Sequence, residues 1–245
     1  MKAMILAAGL GTRLRPITDS RPKALVEVGG RTLLEITLTR LRGVGVSEVI
    51  VNVHHFADMV VDYLKAHGDF GMRIEVSRED TLLDTGGGLK KVGFFFLESG
   101  STEPFILHNV DVISTIDLTR MLQFHREHQA LATLAVQDRP TSRYLLFNQH
   151  LQLCGRRSGA EQKELGSSTP EKALAFSGIH IISPRLLEMI AEEGMFSIIP
   201  CYLRLAALGE KIIAFRADEY YWRDMGKPEN LSQAEADLQR KILSL

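Results

Sequence analysis

Apolar runs and helical repeats alternate along the first third of the chain. The run at residues 3–8 is long enough for one buried strand, and β-branched residues at 49–51 mark a second strand over residues 48–53. A third strand is predicted over residues 72–77. Between these strands, Thr32 and Glu35 form a capping-box pattern ahead of leucines at helical spacing, and another helix is predicted over residues 57–67. This alternation predicts right-handed crossovers and a mostly parallel sheet that binds ligands beyond the carboxyl ends of its strands.

The rest of the chain continues the pattern less regularly. Strands are predicted over residues 104–111, 131–136, 173–183 and 211–216, and helices over residues 85–97, 115 or 117 to 128, 184–191 and 197–208. Residues 143–147 and 150–154 are expected to form a hairpin, followed by a polar, aperiodic and mobile loop at 155–172. Pro228 suits the first turn of a closing helix whose apolar stripe is interpreted as core.

The turn after the first strand has the composition of a phosphate site. Gly9 and Gly11 allow backbone N–H groups to face an anion, because no Cβ stands in the way. Arg13 and Lys23 add positive charge, and nearby prolines keep the segment from closing into a helix. Leu14 stands where a dinucleotide fingerprint has its third glycine, and no Gly-Lys-Ser/Thr triplet of a P-loop is present.

The whole pattern, LAAGLGTRLRP followed by RPKAL, resembles the signature of the sugar-1-phosphate nucleotidylyltransferases, and an ordinary glycine-rich turn is the alternative. The resemblance implies an α/β fold, a Rossmann-like three-layer α/β/α arrangement with a mixed, mostly parallel central sheet. It also implies a single domain over 1–245, in which residues 1–113 mainly bind the nucleotide and residues 114–245 mainly bind the sugar phosphate and supply the closing helix.

The resemblance also implies which residues bind the nucleotide. These are Leu6, Ala8, Gly9, Gly11, Thr12 and Arg13 in the first loop, Glu79 near the nucleobase, and Thr85, Gly86 and Gly87 over base and sugar. On the residues alone, the three glycines at 86–88 could equally be a flexible hinge. A carboxylate at position 79 accepts a hydrogen bond from a base N–H, but it does not choose among guanine, uracil and thymine.

Two aspartates are candidate metal ligands. Asp111 ends an apolar strand, where a charge is costly unless it is paired or bound to a cation. Val110 replaces a glycine that is usual in the family, and Ile113 excludes a glycosyltransferase Asp-x-Asp motif. Asp224 lies in the segment WRDMGKP, which resembles the second metal motif of the family. The resemblance implies that Asp111 and Asp224 hold Mg²⁺.

The sugar-phosphate residues are expected in the strand at 104–111 and in the strand at 173–183. The resemblance points to Asn109, Ser177 and Gly178, although a Ser-Gly pair in a strand is by itself more typical of a β-bulge. Relatives often carry a Glu-Lys-Pro element near here, but Glu171 and Lys172 lack the proline. Which cation among residues 143–172 contacts the sugar phosphate therefore stays open.

The implied reaction is attack by a sugar-1-phosphate oxygen on the α-phosphorus of a nucleoside triphosphate. The second pKa of a phosphate monoester is about 6, so the nucleophile needs no general base. Arg13, Lys23 and Asp111 are expected to be catalytic, because repulsion between two polyanions is the obstacle. Two alternatives are a cytidylyltransferase for a phosphomonoester such as phosphocholine and a non-catalytic nucleotide-sugar sensor. Within the family, the short length and LDTGGG resemble the compact enzymes of muramate, heptose and mannose activation, which suggests a role in cell-envelope polysaccharide synthesis.

Composition adds limits on location and partners. The chain has 29 Lys and Arg against 30 Asp and Glu, and we find no block of like charges that would form a nucleic-acid tail. Cys154 and Cys201 are its two cysteines, and neither a signal peptide nor a membrane-spanning run is apparent. We expect a cytoplasmic protein without an added domain after Pro228 and without nucleic-acid or membrane partners; a homo-oligomer stays open. The adjacent His54 and His55 point apart, so zinc is not expected.

Overall fold

A computed structural model describes residues 1–165 and 169–244, with only the backbone described at Ser99 and Gln162. Its strands are β1 (Lys2–Leu6), β2 (Glu27–Val28), β3 (Arg31–Thr32), β4 (Glu48–Val53), β5 (Arg73–Arg78), β6 (Phe105–Asn109), β7 (Val112–Ser114), β8 (Ala132–Gln137), β9 (Arg143–Phe147), β10 (Leu153–Ser158), β11 (Glu161–Glu164), β12 (Lys172–Ile182), β13 (Ile212–Arg216) and β14 (Trp222–Asp224). Its α-helices are α1 (Leu33–Gly43), α2 (Ala57–Ala66), α3 (Asp84–Lys91), α4 (Gly93–Leu97), α5 (Leu118–His128), α6 (Arg185–Glu188), α7 (Ile198–Ala207) and α8 (Pro228–Gln239).

The chain divides into two compact units. The first unit contains Met1–Asp84, His108–Ile116 and Tyr220–Leu245, and the second contains Thr85–Leu107 and Asp117–Glu219. These bounds differ from the expected halves at residues 85–107, 114–116 and 220–245. The single domain and the assignment of the halves to nucleotide and sugar phosphate stay predictions.

The first unit is built on three parallel strands, β1, β4 and β5. Leu6 pairs with Asn52, and Asn52 pairs with Ser77, so the carboxyl ends of all three strands meet at one edge. The interior positions of β1 and β4 are fully buried or nearly so. Helix α1 begins at the predicted cap, where Thr32 Oγ1 accepts a hydrogen bond from Glu35 N at 3.0 Å. Two small antiparallel ladders, β2–β3 and β7–β14, complete this unit.

The second unit contains mostly antiparallel strands. Strand β12 lies between β8 and β9 and is antiparallel to both, while β13 runs parallel to β8. Strands β9, β10 and β11 form consecutive antiparallel pairs. None of the helices in the described part of the chain is both long enough and apolar enough to span a bilayer.

The prediction of a mobile loop at 155–172 is wrong for most of these residues. Strand β10 continues to Ser158, and β11 pairs with it from Gly155↔Glu164 to Ser158↔Glu161. Charged side chains are typical of strands at a sheet edge, where backbone pairing does not require an apolar face. A polar, aperiodic sequence therefore forms a hairpin here. Residues 166–168 lie outside the described residues.

Candidate active site

The glycine turn after β1 adopts a conformation that only glycine accepts easily. Gly11 is left-handed, with φ 64° and ψ 21°, and a Cβ there would lie 2.9 Å from Thr18 Cγ2. The carbonyl oxygen of Gly11 accepts hydrogen bonds from Leu14 N at 2.8 Å and Thr18 Oγ1 at 2.9 Å. The loop continues in single 3₁₀ turns rather than a continuous helix. By contrast, a Cβ on Gly9 would meet nothing within 4 Å, so the space beside Gly9 is open.

The other first-loop residues flank this turn. Leu6 ends β1, and its carbonyl oxygen accepts a hydrogen bond from Val110 N at 3.1 Å. Ala8 is buried, whereas Thr12 and Arg13 are exposed. The loop therefore combines a fixed backbone with exposed polar side chains at the carboxyl edge of the parallel strands.

The two candidate metal ligands lie side by side although they are far apart in sequence. Strand β14 pairs with β7 so that Asp224 is opposite Val112, the residue after Asp111. Met225 N donates a hydrogen bond to the carbonyl oxygen of Asp111 at 2.7 Å, which extends the contact beyond the ladder. The β7–β14 ladder thus brings together the two acids that the sequence singled out.

A cation accompanies each of these acids. Lys23 is 7% exposed, and its Nζ forms an ion pair with Asp111 Oδ2. Asp224 Oδ1 accepts a hydrogen bond from Gly226 N, and a Cβ on Gly226 would lie 2.5 Å from Asp224 Oδ1 and 2.6 Å from Arg13 Nη2. Gly226 therefore permits the guanidinium of Arg13 to lie close to Asp224. Each of the two predicted acids therefore has a predicted cation beside it, and the two acid–cation pairs lie on neighbouring backbone segments of the first unit.

The donor set fits a hard divalent cation that is completed by ligand oxygens. Within the described residues, Asp111 Oδ1 and Asp224 Oδ2 take part in no hydrogen bond. No group of three or more His, Cys, Asp or Glu side chains that could hold a metal occurs in the described ranges. Two carboxylates with open coordination positions suit Mg²⁺, which commonly binds one or two carboxylates together with substrate phosphates.

A partly buried basic pair, Arg40 and His108, contacts the backbone on either side of Asp111. Arg40 of α1 donates a hydrogen bond from Nη1 to Ser114 Oγ at 2.8 Å and another to the carbonyl oxygen of Ile116. His108 lies beside it, and burial, with a smaller effect from the positive charge of Arg40, lowers the pKa of His108 to about 3. A neutral His108 avoids a buried positive charge next to the guanidinium of Arg40. The pair ties α1 to both ends of the segment that carries Asp111.

Glu79 is buried and is fully engaged by the protein. Its Oε1 accepts a hydrogen bond from Asn52 Nδ2 at 2.7 Å, and its Oε2 accepts one from Leu83 N at 3.0 Å. Asn52 Oδ1 in turn accepts a hydrogen bond from Ala7 N at 2.8 Å. The sequence interpretation missed Asn52. Its signal was a polar residue in the otherwise apolar strand β4, because a buried amide requires partners.

The glycine segment of α3 packs tightly within the second unit. Gly86 N and Gly87 N both donate hydrogen bonds to the carbonyl oxygen of Phe196, at 2.9 and 3.2 Å. A Cβ on Gly86 would lie 2.2 Å from Phe196 Cε2, so this contact requires glycine. Thr85 Oγ1 accepts a hydrogen bond from Ile198 N at 3.0 Å. These glycines have a packing role, and their contact with a nucleotide stays a prediction.

The three sugar-phosphate candidates have distinct environments. Asn109 Oδ1 in the first unit is buried without a hydrogen-bond partner among the described residues. Ser177 in the second unit is fully buried, and Gly178 is left-handed with φ 75°. The register between β12 and β8 shifts between Phe176 and His180, so the pairing is irregular where the Ser-Gly pair lies. Sugar binding at these positions stays a prediction.

Comparisons with known proteins show the family and the fold of the chain. Residues 2–241 match a family model described as nucleotidyl transferase. N-acetylmuramate alpha-1-phosphate uridylyltransferase of Caulobacter vibrioides is 36% identical over 248 residues, covering 96% of each chain. A probable mannose-1-phosphate guanylyltransferase of Oryza sativa is 29% identical over 94% of this chain, which spans 62% of that relative. A structure of UDP-glucose pyrophosphorylase complexed with UDP-glucose superposes with a TM-score of 0.80 at 18% identity, covering 98% of both chains. This likeness confirms the α/β fold class expected from the sequence.

Proposed function

Because the chain belongs to the nucleotidyl transferase family, we propose that it transfers a nucleotidyl group from a nucleoside triphosphate to a sugar 1-phosphate, forming a nucleotide sugar and pyrophosphate. The single observation that carries the proposal is the meeting of Lys23, Asp111, Arg13 and Asp224 beside the glycine turn. Two acids and two cations at one edge of a parallel sheet match the needs of a reaction between two polyanions.

The chemistry follows from the charges. An oxygen of the sugar phosphate forms a bond to the α-phosphorus, and the bond from that phosphorus to the pyrophosphate oxygen breaks. The nucleophile is already ionised at neutral pH, so the residues act by positioning and by offsetting negative charge. Lys23 and Arg13 are the cations placed to do so, and the open space beside Gly9 allows a phosphate to approach the backbone.

Mg²⁺ is part of the proposal. Asp111 and Asp224 would hold it, and the bound ion would supply charge neutralisation and would orient the phosphates. The hard carboxylate oxygens described above support this choice over zinc, which favours nitrogen and sulfur ligands.

The relatives suggest which substrates to test first. The relative that matches over 96% of both chains is named a uridylyltransferase for N-acetylmuramate α-1-phosphate. We therefore propose UTP and that sugar phosphate as the first pair, and GTP with mannose 1-phosphate as the second. A cytoplasmic location and a role in cell-envelope polysaccharide synthesis are part of the same proposal.

The test is pyrophosphate release from UTP, GTP, CTP and dTTP, each combined with a panel of sugar 1-phosphates and with phosphocholine. We expect turnover with at least one nucleotide and sugar phosphate pair in the presence of Mg²⁺. Turnover only with CTP and phosphocholine would favour the alternative enzyme. Binding of a nucleotide sugar without turnover of any pair would favour the sensor, although the presence of Lys23, Asp111 and Asp224 together argues against it.

A further inference from the structure

A continuous hydrogen-bonded chain links two loops of the first unit through two buried side chains. Asn52 and Glu79 are 2% and 4% exposed. Ala7 N donates to Asn52 Oδ1 at 2.8 Å, Asn52 Nδ2 donates to Glu79 Oε1 at 2.7 Å, and Leu83 N donates to Glu79 Oε2 at 3.0 Å. We call this chain of contacts the amide–carboxylate bridge.

The polarity of the bridge is specific. Backbone N–H donors stand at both ends, so each end requires an acceptor, and the middle contact requires one donor and one acceptor. An amide supplies an acceptor and a donor, whereas a carboxylate supplies two acceptors. One amide and one carboxylate therefore satisfy all three contacts. Two carboxylates would place an acceptor against an acceptor in the middle contact. Two amides would place a donor against a donor, either in the middle or at one end. Each such contact is costly when it is buried.

The main chain of Glu79 is also held in place. Glu79 N donates to the carbonyl oxygen of Val53 at 2.8 Å, and His54 Nδ1 lies 2.7 Å from the carbonyl oxygen of Glu79. Both its side chain and its backbone are thus committed to contacts within the first unit.

The bridge connects two segments that the sequence assigned to nucleotide binding. Ala7 immediately precedes the glycine turn, in which Gly9 and Gly11 lie. Leu83 immediately precedes Asp84, a non-glycine residue with φ 58° at the first position of α3. The bridge therefore fixes the distance between the start of the phosphate loop and the segment over residues 80–84.

We propose that Glu79 is a positioning residue, which acts with Asn52 to hold these two segments in register and does not read the nucleobase through its carboxylate. The inference rests on the proposed nucleotidyl transfer, and it replaces the sequence-based expectation of a direct base contact. Base selection then belongs to groups other than the Glu79 carboxylate, which is buried and accepts a hydrogen bond from the protein at each of its oxygens.

An exchange of the two side-chain types tests the proposal. Asn52→Asp places two carboxylates against each other, and Glu79→Gln leaves an amide donor facing another donor. In the double variant N52D/E79Q, the new carboxylate at position 52 accepts from Ala7 N and from the new amide at position 79, whose oxygen accepts from Leu83 N. We expect each single variant to lose about tenfold or more in kcat/KM for the nucleotide, and the double variant to regain most of that loss.

Nucleotide preference provides the decisive second readout. If Glu79 positions the loops, Glu79→Gln lowers kcat/KM for all four nucleotides by a similar factor and leaves their ranking unchanged. If Glu79 reads the base, the ranking changes, and adding Asn52→Asp does not restore it. Asp62→Asn, which removes an exposed carboxylate on α2, away from both segments, is the matched control and is expected to leave kcat/KM unchanged.

The melting temperature separates this inference from the proposed function. If the wild-type protein turned over no nucleotide, the proposed function would fail, but the bridge would still predict lower melting temperatures for both single variants and recovery in the double variant. Should a single variant not fold, recovery of a folded double variant is the readout. A double variant that is no more stable and no more active than its worse parent would overturn the inference.

Discussion

Asp111 and Asp224 each have a cation beside them, and each keeps one carboxylate oxygen outside the hydrogen bonds of the described residues. A substitution that removes the negative charge of either carboxylate and keeps the shape of the side chain therefore tests the role of Asp111 and Asp224 as metal ligands. We expect Asp111→Asn and Asp224→Asn each to lower the rate of pyrophosphate release about 10²-fold or more, because charge stabilisation would be lost. Asp62→Asn, at an exposed position on α2, is the control. Near-normal turnover in both variants would contradict the metal assignment.

Gly226 is the small residue that lets Arg13 lie near Asp224. A Cβ at this position would be 2.5 Å from Asp224 Oδ1 and 2.6 Å from Arg13 Nη2, so Gly226→Ala must displace one of them. We expect activity to fall at least tenfold with the fold retained, measured by pyrophosphate release and circular dichroism. Gly43→Ala, where a Cβ meets nothing within 4 Å, should leave activity unchanged. Equal activity in the two variants would show that the placement of Arg13 is unimportant.

His125 gives the protein a defined acid response. Burial, with a smaller effect from the positive charge of Arg126, lowers the pKa of His125 to about 4. The folded state keeps this imidazole neutral while the unfolded state takes up a proton below about pH 6.5. The contribution of neutral His125 to the free energy of unfolding is therefore fully present above about pH 6.5. As the pH falls from there toward about 4, this contribution decreases by about 1.4 kcal/mol per pH unit.

Urea unfolding at pH 7, 6 and 5 measures this response. We expect His125→Gln to reduce the pH dependence of the unfolding free energy by about one proton relative to wild type, whatever its effect at a single pH. His150→Gln, which alters an exposed histidine, should keep the wild-type slope. An unchanged slope in His125→Gln would refute the assignment.

At the scale of elements, helix α8 anchors the strand that carries Asp224. The buried carboxylate of Asp237 accepts hydrogen bonds at 2.8 Å from both Tyr221 Oη and Arg223 Nη2. Gln233, one turn earlier on α8, donates a further hydrogen bond to Asp237 Oδ1 at 3.0 Å. These hydrogen bonds hold β14 against helix α8.

Asp237→Asn puts an amide donor among these donors. We expect the unfolding free energy to fall by about 1–3 kcal/mol and kcat to fall with it, since Asp224 would lose its support. Urea unfolding and steady-state kinetics measure both effects. Glu229→Gln, at an exposed position on the same helix, should change the unfolding free energy by less than about 0.5 kcal/mol. A stable variant with normal kcat would show that α8 does not position the acid.

The sequence predicted those helices and strands whose formation depends on residues close together in the chain. The predicted strand at 48–53 coincides with β4, and the closing helix begins at Pro228 as expected, because β-branching and a proline at the first helical turn act within a few residues. The short ladders β2–β3 and β7–β14 were missed, since two or three residues show no periodicity. The helix expected at 184–191 is a single turn, Arg185–Glu188, because its next residues serve other contacts: the carbonyl oxygens of Met189 and Glu192 accept hydrogen bonds from Arg204 and Lys90.

At the scale of the whole molecule, the site depends on strand pairings that the spacing of residues in the sequence does not reveal. The glycine turn could be predicted from residues 9–13 alone. The adjacency of Asp111 and Asp224 could not, since it arises from a ladder between two strands that are separated in the sequence by the long segment Asp117–Glu219 of the second unit. Resemblance to a family supplied both acids, but it did not supply Asn52, whose partners Ala7 and Glu79 come from separate elements.

Ligand-induced stabilisation tests the whole assembly. A nucleotide at a hundred times its dissociation constant stabilises the folded state by about 2.7 kcal/mol, which for a chain of this size raises the melting temperature by about 5–10 °C. We expect UTP with Mg²⁺ to give such a shift, and EDTA to remove most of it. In Asp224→Asn the shift should be smaller and insensitive to EDTA. An equal shift with and without the divalent cation in wild type would contradict metal-assisted binding.

The ion pair between Lys23 and Asp111 also bears on the order in which ligands arrive. An ammonium group already neutralises this carboxylate, so a lone divalent cation would have to compete with a tethered positive charge. A divalent cation that is already bound to a triphosphate would not have to compete in this way. The phosphates would replace Asp111 as the ion-pair partner of the Lys23 ammonium group, and the carboxylate would become available to the cation. We therefore expect the metal and the nucleotide to enter as one complex, and magnesium alone to bind poorly.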